Sequence, residues 1–108
     1  MPTSGGVTVA DYSVLLSPKA VRDLDEIWRY VTETFQERST ADALLDSIES
    51  AVLSLESLPY RCPERKVGAY ANRGFRQMLV GNYIIIYRID EEAKRVTVST
   101  VVYSGRNI

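Results

Sequence analysis

The chain has 108 residues, of which 45% are hydrophobic and 25% charged, with a net charge of −1. These values are typical of one globular domain and exclude a disordered or low-complexity chain. Because there is no histidine and one cysteine, a histidine base, a thiolate metal site and an intrachain disulfide are excluded. We therefore predict no metal and no cofactor.

The sequence also bears on location and domain organisation. No apolar run approaches the roughly 20 residues of a membrane helix, and the first residues lack the basic start and apolar centre of a secretory signal. We expect a cytoplasmic protein. A flexible N-terminal tail is predicted over residues 1–11 and a single domain over residues 12–108.

The charges divide the chain into two halves. Residues 18–58 carry four basic and nine acidic side chains, whereas residues 60–108 carry nine basic and four acidic ones. This division predicts two surfaces with different partners, although acidic residues on a helix are also typical of a solvated outer face. A local basic surface favours an anionic partner even when the net charge is small.

Two helices are predicted after a short strand at residues 12–16. Ser17-Pro18 is typical of a helix start, since serine caps free backbone amides and proline suits the first helical position. Apolar residues then recur at helical spacing as far as Phe35. A second apolar stripe begins near Thr40 and ends before Pro59, so the pair forms an antiparallel helical hairpin.

Three strands are predicted in the second half of the chain. Residues 75–80 and 83–89 are separated by Gly81-Asn82, which is typical of a two-residue hairpin loop. Residues 96–102 alternate into a last strand after a polar turn. The predicted fold is α+β, with an N-terminal strand and a two-helix antiparallel hairpin packed on a small, mainly antiparallel sheet.

The hairpin loop and a five-residue second turn predict which side chains share a face. Arg76 lies opposite Tyr87 in this register, and Tyr87 lies opposite Thr97. The face against the helices is then expected to hold Phe75, Leu79, Ile84, Ile86, Val96, Val98 and Val102. The open face is expected to hold Arg76, Tyr83, Tyr87, Arg95, Thr97, Ser99 and Tyr103. Arginines and tyrosines there suit an anionic or nucleic-acid partner, although tyrosine is also simply a good strand residue.

Three stretches of the sequence resemble the RelE/ParE superfamily, the toxins of bacterial type II toxin–antitoxin pairs. They are YSVLLSPKAVRDLDEIWRY (12–30), GFRQMLVGNYIIIYR (74–88) and the closing VVYSGR (101–106). The resemblance implies the same fold, a two-helix hairpin on a small sheet. It also implies a cognate antitoxin that wraps the toxin with its C-terminal segment and alone contacts operator DNA. Trp28 and Tyr30 are the candidate antitoxin contacts, although the helical spacing of Trp28 also suits the edge of the core.

The superfamily has two mechanistic branches, and the resemblance favours one of them. RelE-like members cleave messenger RNA on the ribosome, whereas ParE-like members inhibit DNA gyrase without known catalysis. Three features favour the ParE-like branch: the absence of histidine, the Ser17-Pro18 opening and the ending at residues 103–106. The leading hypothesis is therefore a gyrase inhibitor that is not itself a catalyst. The alternatives are a ribosome-dependent mRNA endonuclease and a non-toxic module that binds an antitoxin.

The resemblance assigns residues to each of these functions. A nuclease would use Arg76, Tyr103 and Arg106 as its catalytic residues. The target-facing basic and aromatic surface is predicted to consist of Arg73, Arg76, Tyr83, Tyr87, Tyr103 and Arg106. The target itself would be DNA gyrase or the ribosome.

Overall fold

The computed structural model describes residues 11–105 and has the predicted α+β architecture. Of the predicted N-terminal tail only Asp11 is among them. The helices and strands are β1 (Ser13–Leu16), α1 (Pro18–Phe35), α2 (Arg38–Leu53), β2 (Phe75–Val80), β3 (Tyr83–Asp90) and β4 (Arg95–Tyr103), with short 3₁₀ turns at Ser54–Glu56 and Pro59–Arg61. In this part of the chain neither helix is long and apolar enough to cross a membrane.

The sheet has the strand order β1-β4-β3-β2, with β1 parallel to β4 and the other pairs antiparallel. The helical hairpin packs on one face, which confirms the predicted fold class. The predicted start of α1 is also correct, because the Ser17 hydroxyl accepts a 3.0 Å hydrogen bond from the amide of Ala20 and Pro18 follows it.

The register of the β2–β3 hairpin is the predicted one. Val80 lies opposite Tyr83 and Arg76 opposite Tyr87. Gly81 has a φ of 57°, the left-handed conformation that a tight hairpin loop requires and that glycine adopts at little cost.

The predicted register of β3 and β4 is wrong. Their turn has four residues, 91–94, so that Asp90 lies opposite Arg95. A β-bulge then shifts the pairing, and Tyr87 lies opposite Val98, whereas Ile86 lies opposite Thr100. A bulge adds one residue to one strand and reverses the alternation beyond it.

The predicted assignment of faces is reversed for β2 and β3. Met78, Ile85 and Tyr87 pack against the helices in one core, which also contains Ala20, Ile48, Val52, Leu55, Val96, Val98 and Val101. Only Val96 and Val98 of the predicted inward set belong to this core. Leu79 is 66% exposed. The remaining predicted members, Phe75, Ile84, Ile86 and Val102, lie on the opposite face by strand alternation.

That opposite face, called the far face below, is not bare. Phe75, Ile86 and Val102 are buried on it. The loop that precedes β2 covers part of it, with the Tyr70 ring set edge-on against Phe75 at a centroid distance of 4.9 Å. Arg65 anchors this loop from a buried position, donating hydrogen bonds to the carbonyl oxygen of Ala69 and, at 2.9 Å, to Oε1 of Gln77.

Candidate functional site

Arg76 is not the freely exposed arginine that the sequence predicts. Its side chain is 20% exposed. Its Nη1 donates hydrogen bonds to the carbonyl oxygens of Cys62, at 2.6 Å, and Tyr60, at 3.3 Å. The guanidinium carbon lies 5.0 Å from the centre of the Tyr60 ring, and Nη2 lies 3.8 Å from Oε2 of Glu64. Arg76 therefore ties β2 to the segment between α2 and β2.

Tyr87 is fully buried, so its predicted place on the target-facing surface is wrong. Its hydroxyl donates a 2.6 Å hydrogen bond to the carbonyl oxygen of Pro59. Burial raises the pKa of this phenol. Tyr87 is consequently a core residue and does not form part of a contact surface.

Two predicted target-facing residues and one predicted antitoxin contact lie together. Tyr83 and Tyr103 are opposite each other on β3 and β4, with ring centroids 5.7 Å apart and planes at 67°. Burial raises the pKa of Tyr83, and the nearby hydroxyls of Tyr103 and Tyr30 raise it further. Tyr103 is 50% exposed and Tyr30 65% exposed. We call these three residues the tyrosine patch.

The other predicted site residues are separate from this patch or outside the described chain. Trp28 is partly buried, and its Nε1 donates a 2.9 Å hydrogen bond to Oδ1 of Asp42, so it joins α1 to α2. Arg73 is exposed in the loop before β2. Arg106 lies outside the described residues.

Sequence reasoning missed an apolar groove between β1 and α2. Its lining is Val14, Leu16, Leu24, Leu45, Asp46, Ile48, Glu49, Val52 and Leu53, so two carboxylates stand among apolar side chains. The amides of Ser13 and Ser17 donate to carbonyl oxygens of the β4 segment, which turns the backbone groups of Val14 and Leu16 outward. Within residues 11–105 no strand pairs with this outer edge of β1.

Sequence reasoning also missed a polar cluster at the β3–β4 turn. Oε1 of Glu91 accepts hydrogen bonds from the hydroxyls of Tyr12, at 2.9 Å, and Tyr60, at 2.7 Å. Lys94 pairs with the other oxygen of the carboxylate. Hydrogen bonds from Lys94, Tyr60 and Tyr12 lower the pKa of Glu91 to about 2. The cluster joins the start of β1 to two turns that are distant in sequence.

No group of three or more His, Cys, Asp or Glu side chains in residues 11–105 is arranged to hold a metal ion. Arg76 on β2 and Tyr103 on β4 lie on strands that β3 separates. The described surface has two features that a partner could contact, the tyrosine patch and the groove beside β1.

A family model described as the ParE toxin of the type II toxin–antitoxin system parDE matches residues 14–108. The chain belongs to the ParE toxin family. No curated protein matches the chain. Among the solved structures that contain a chain similar to this one are three of toxin–antitoxin systems.

The chromosomal ParDE system from P. aeruginosa contains a similar chain, with a TM-score of 0.71 and 16% identity, covering 88% of this chain and 98% of that one. The toxin–antitoxin complex RelBE2 from Mycobacterium tuberculosis follows with a TM-score of 0.60, 24% identity and coverage of 89% and 94%. The archaeal RelE–RelB complex from Pyrococcus horikoshii has a TM-score of 0.50, 17% identity and coverage of 89% and 98%. At these identities the likeness establishes a shared fold.

Proposed function

We propose that this ParE family toxin inhibits DNA gyrase in the cytoplasm and is neutralised by a cognate antitoxin protein. The observation that carries the proposal is the family match over residues 14–108. Two features of the residues that a nuclease would use also support the proposal. The guanidinium of Arg76 is hydrogen-bonded to a backbone carbonyl oxygen, and the chain has no histidine to act as a base. Inhibition by binding requires contact surface and no proton-transfer group.

The groove beside β1 supports the antitoxin part of the proposal. An extended segment would add to the outer edge of β1, and an amphipathic helix would place its apolar side in the groove. The carboxylates of Asp46 and Glu49 favour a basic residue on that segment. The similar solved chains from P. aeruginosa and M. tuberculosis belong to toxin–antitoxin systems, which agrees with a protein partner for this toxin.

Two assays of the full chain test the proposal. Purified toxin is expected to inhibit supercoiling by gyrase, and adding its cognate antitoxin is expected to restore supercoiling. Induction in cells is expected to arrest growth and trigger a DNA-damage response while messenger RNA stays intact. Normal supercoiling together with rapid cleavage of transcripts at ribosomal A sites would overturn it.

An mRNA endonuclease is the second candidate, since the fold is also similar to RelBE2 and Tyr103 is exposed. In that case Tyr103→Phe would abolish transcript cleavage without changing the fold. Arg76→Ala would be a poor test, because this arginine has a structural role. A harmless antitoxin-binding module would cause no growth arrest on induction.

A further inference from the structure

Leu58 combines a strained backbone with an exposed apolar side chain. It has a φ of 55° and a ψ of 51°, the left-handed conformation, and it stands between the 3₁₀ turn Ser54–Glu56 and Pro59. The residue is 72% exposed. Among residues 11–105 it is the only aliphatic residue with a positive φ. Neither its conformation nor its exposure is typical of a leucine.

The position favours glycine rather than leucine. A helical segment commonly ends on a left-handed residue, which is usually glycine because a β-carbon is strained in this conformation. A residue that precedes proline also favours an extended conformation, so Pro59 adds to the strain at Leu58. At such helix ends an apolar side chain often packs back on the helix, but the exposure of Leu58 is too large for such a contact. In the isolated toxin the leucine side chain therefore adds strain without being buried.

Neighbouring residues hold this turn through its backbone. The Tyr87 hydroxyl donates a 2.6 Å hydrogen bond to the carbonyl oxygen of Pro59. Nη1 of Arg61 donates to the carbonyl oxygens of Ser57, at 3.1 Å, and Leu58, at 3.2 Å. None of these contacts involves the side chain of Leu58. We therefore expect the turn to keep its conformation when that side chain is replaced.

Leu58 stands at one end of the groove beside β1. Leu53, the last residue of α2, lines the groove and is 51% exposed. Three residues later the carbonyl oxygen of Glu56 accepts hydrogen bonds from the amides of Asp11 and Tyr12, at 3.1 Å each. The chain that leaves α2 thus passes beside the start of β1. Because two residues span at most about 7 Å, Leu58 lies close to this end of the groove.

An occupant of the groove meets an apolar surface that continues past the end of α2. Val14, Leu16 and Leu53 supply apolar side chains inside the groove, and Leu58 supplies one beyond it. An amphipathic helix in such a groove repeats its apolar anchors every three or four residues, so one further anchor at its end would contact Leu58. Because a leucine side chain cannot form hydrogen bonds, its contribution to binding comes from removing apolar surface from water.

We propose that Leu58 is an anchor of the antitoxin interface, where it packs against an apolar side chain of the segment that occupies the groove beside β1. This inference rests on the proposed function, which assigns the groove to the antitoxin. Burial of the leucine in the complex offsets the cost of its left-handed conformation in the free toxin. The tyrosine patch shares no residue with the groove lining or with Leu58 and remains available to the target.

Antitoxin affinity and stability of Leu58 variants together test the inference. Titration calorimetry of the full-length toxin with its cognate antitoxin measures affinity, and urea titration measures the free energy of unfolding. Leu58→Gly relieves the strain, so it is expected to be at least as stable as wild type but to bind the antitoxin roughly tenfold more weakly. Leu58→Asn also tolerates the left-handed conformation and should show the same loss of affinity. Leu58→Met keeps an apolar side chain and should bind within about threefold of wild type.

Leu79→Asn is the matched control. Leu79 lies on the far face of β2, is 66% exposed and is not part of the groove lining. The same substitution there should leave antitoxin affinity unchanged. Gyrase inhibition is expected to be unchanged in all the Leu58 variants.

Three results would overturn the inference. The first is wild-type affinity in both Leu58→Gly and Leu58→Asn. The second is a loss of affinity in Leu58→Met as large as that in Leu58→Asn. The third is a lower free energy of unfolding for Leu58→Gly than for wild type, which would give the side chain a structural role.

The groove variant Asp46→Lys/Glu49→Lys separates this inference from the proposed function. Loss of affinity in that variant with wild-type affinity in Leu58→Asn would refute the anchor and leave the groove as the antitoxin site. Normal affinity in the groove variant would refute the groove assignment on which the anchor rests. Wild-type toxin without any effect on gyrase would refute the gyrase proposal, whereas an antitoxin affinity that depends on Leu58 would still support the anchor.

Discussion

The buried hydroxyl of Tyr87 is bonded to the carbonyl oxygen of Pro59, and this contact fastens the segment between α2 and β2 to the centre of the sheet. Leu58, the residue before Pro59, has a φ of 55°, a left-handed conformation that costs free energy for leucine. Arg61 steadies the same turn by donating to the carbonyl oxygens of Ser57, at 3.1 Å, and Leu58, at 3.2 Å.

Removing the Tyr87 hydroxyl tests this fastening. Tyr87→Phe removes the side-chain donor to the carbonyl oxygen of Pro59, so the free energy of unfolding is expected to fall by about 1–2 kcal/mol in urea titrations. Tyr103→Phe is the control, because its phenol is half exposed, and it should change stability by less than about 0.5 kcal/mol. Growth arrest should persist in Tyr87→Phe. If a folded Tyr87→Phe variant no longer arrested growth, the hydroxyl would have to take part in toxicity.

Asp23 of α1 holds the helix against the bulged part of β4. Its carboxylate accepts hydrogen bonds from the Thr100 hydroxyl, from the amide of Val101 at 3.1 Å and from Lys19 at 3.0 Å. Burial opposes ionisation of this carboxyl, but the hydrogen bonds from Thr100, Lys19 and Val101 outweigh burial and hold its pKa below the usual value.

This lowered pKa predicts a pH-dependent stability. The contribution of Asp23 is fully present above the unfolded pKa of about 3.9 and is lost as the pH falls through the lower folded value. Asp23→Asn is therefore expected to lower the free energy of unfolding by about 1–2 kcal/mol at pH 7 and to match wild type in strong acid. Asp25→Asn, whose carboxylate is exposed, is the control; a stability difference for Asp23→Asn that is constant from pH 7 to pH 2 would contradict the assignment.

The elements with their own local signals could be predicted from sequence. Ser17-Pro18 determines where α1 begins, and Gly81-Asn82 determines the β2–β3 register, since both act within a few residues. The β3–β4 register has no such signal, because a polar turn admits four or five residues and a bulge leaves no mark in the sequence.

The prediction of which face of β2 and β3 packs against the helices was wrong for a second reason. Residues 83–87 are apolar or aromatic throughout and therefore do not alternate, so the predicted inward face followed from the assumed five-residue turn, which placed Arg76 on the open face. Backbone carbonyl oxygens of a neighbouring loop satisfy this guanidinium instead. The tyrosine patch brings Tyr30 of α1 near the start of β3 and the end of β4, and no local sequence pattern indicates this proximity.

The structural role of Arg76 predicts a loss of stability that an exposed arginine would not cause. Arg76→Ala removes hydrogen bonds to the carbonyl oxygens of Cys62 and Tyr60 and the stacking on the Tyr60 ring. We expect the free energy of unfolding to fall by about 2–3 kcal/mol, and Arg76→Lys to recover part of it, since lysine lacks the planar fork. Urea titration measures both, with Arg29→Ala as the exposed control. Equal stability of Arg76→Ala and wild type would show that the arginine is not a structural tie.

The groove beside β1 predicts a separation between neutralisation and toxicity. Reversing both charges with Asp46→Lys and Glu49→Lys places like charges against a basic antitoxin segment, so antitoxin affinity is expected to fall at least tenfold in calorimetric titrations. Inhibition of gyrase should be unchanged, because the tyrosine patch is intact, and growth arrest should then resist co-expressed antitoxin. Glu33→Lys with Glu26→Lys on α1 gives the same charge change on exposed positions outside the groove lining and should leave neutralisation normal. If the groove variant were neutralised as well as wild type, the antitoxin would have to bind elsewhere on the toxin.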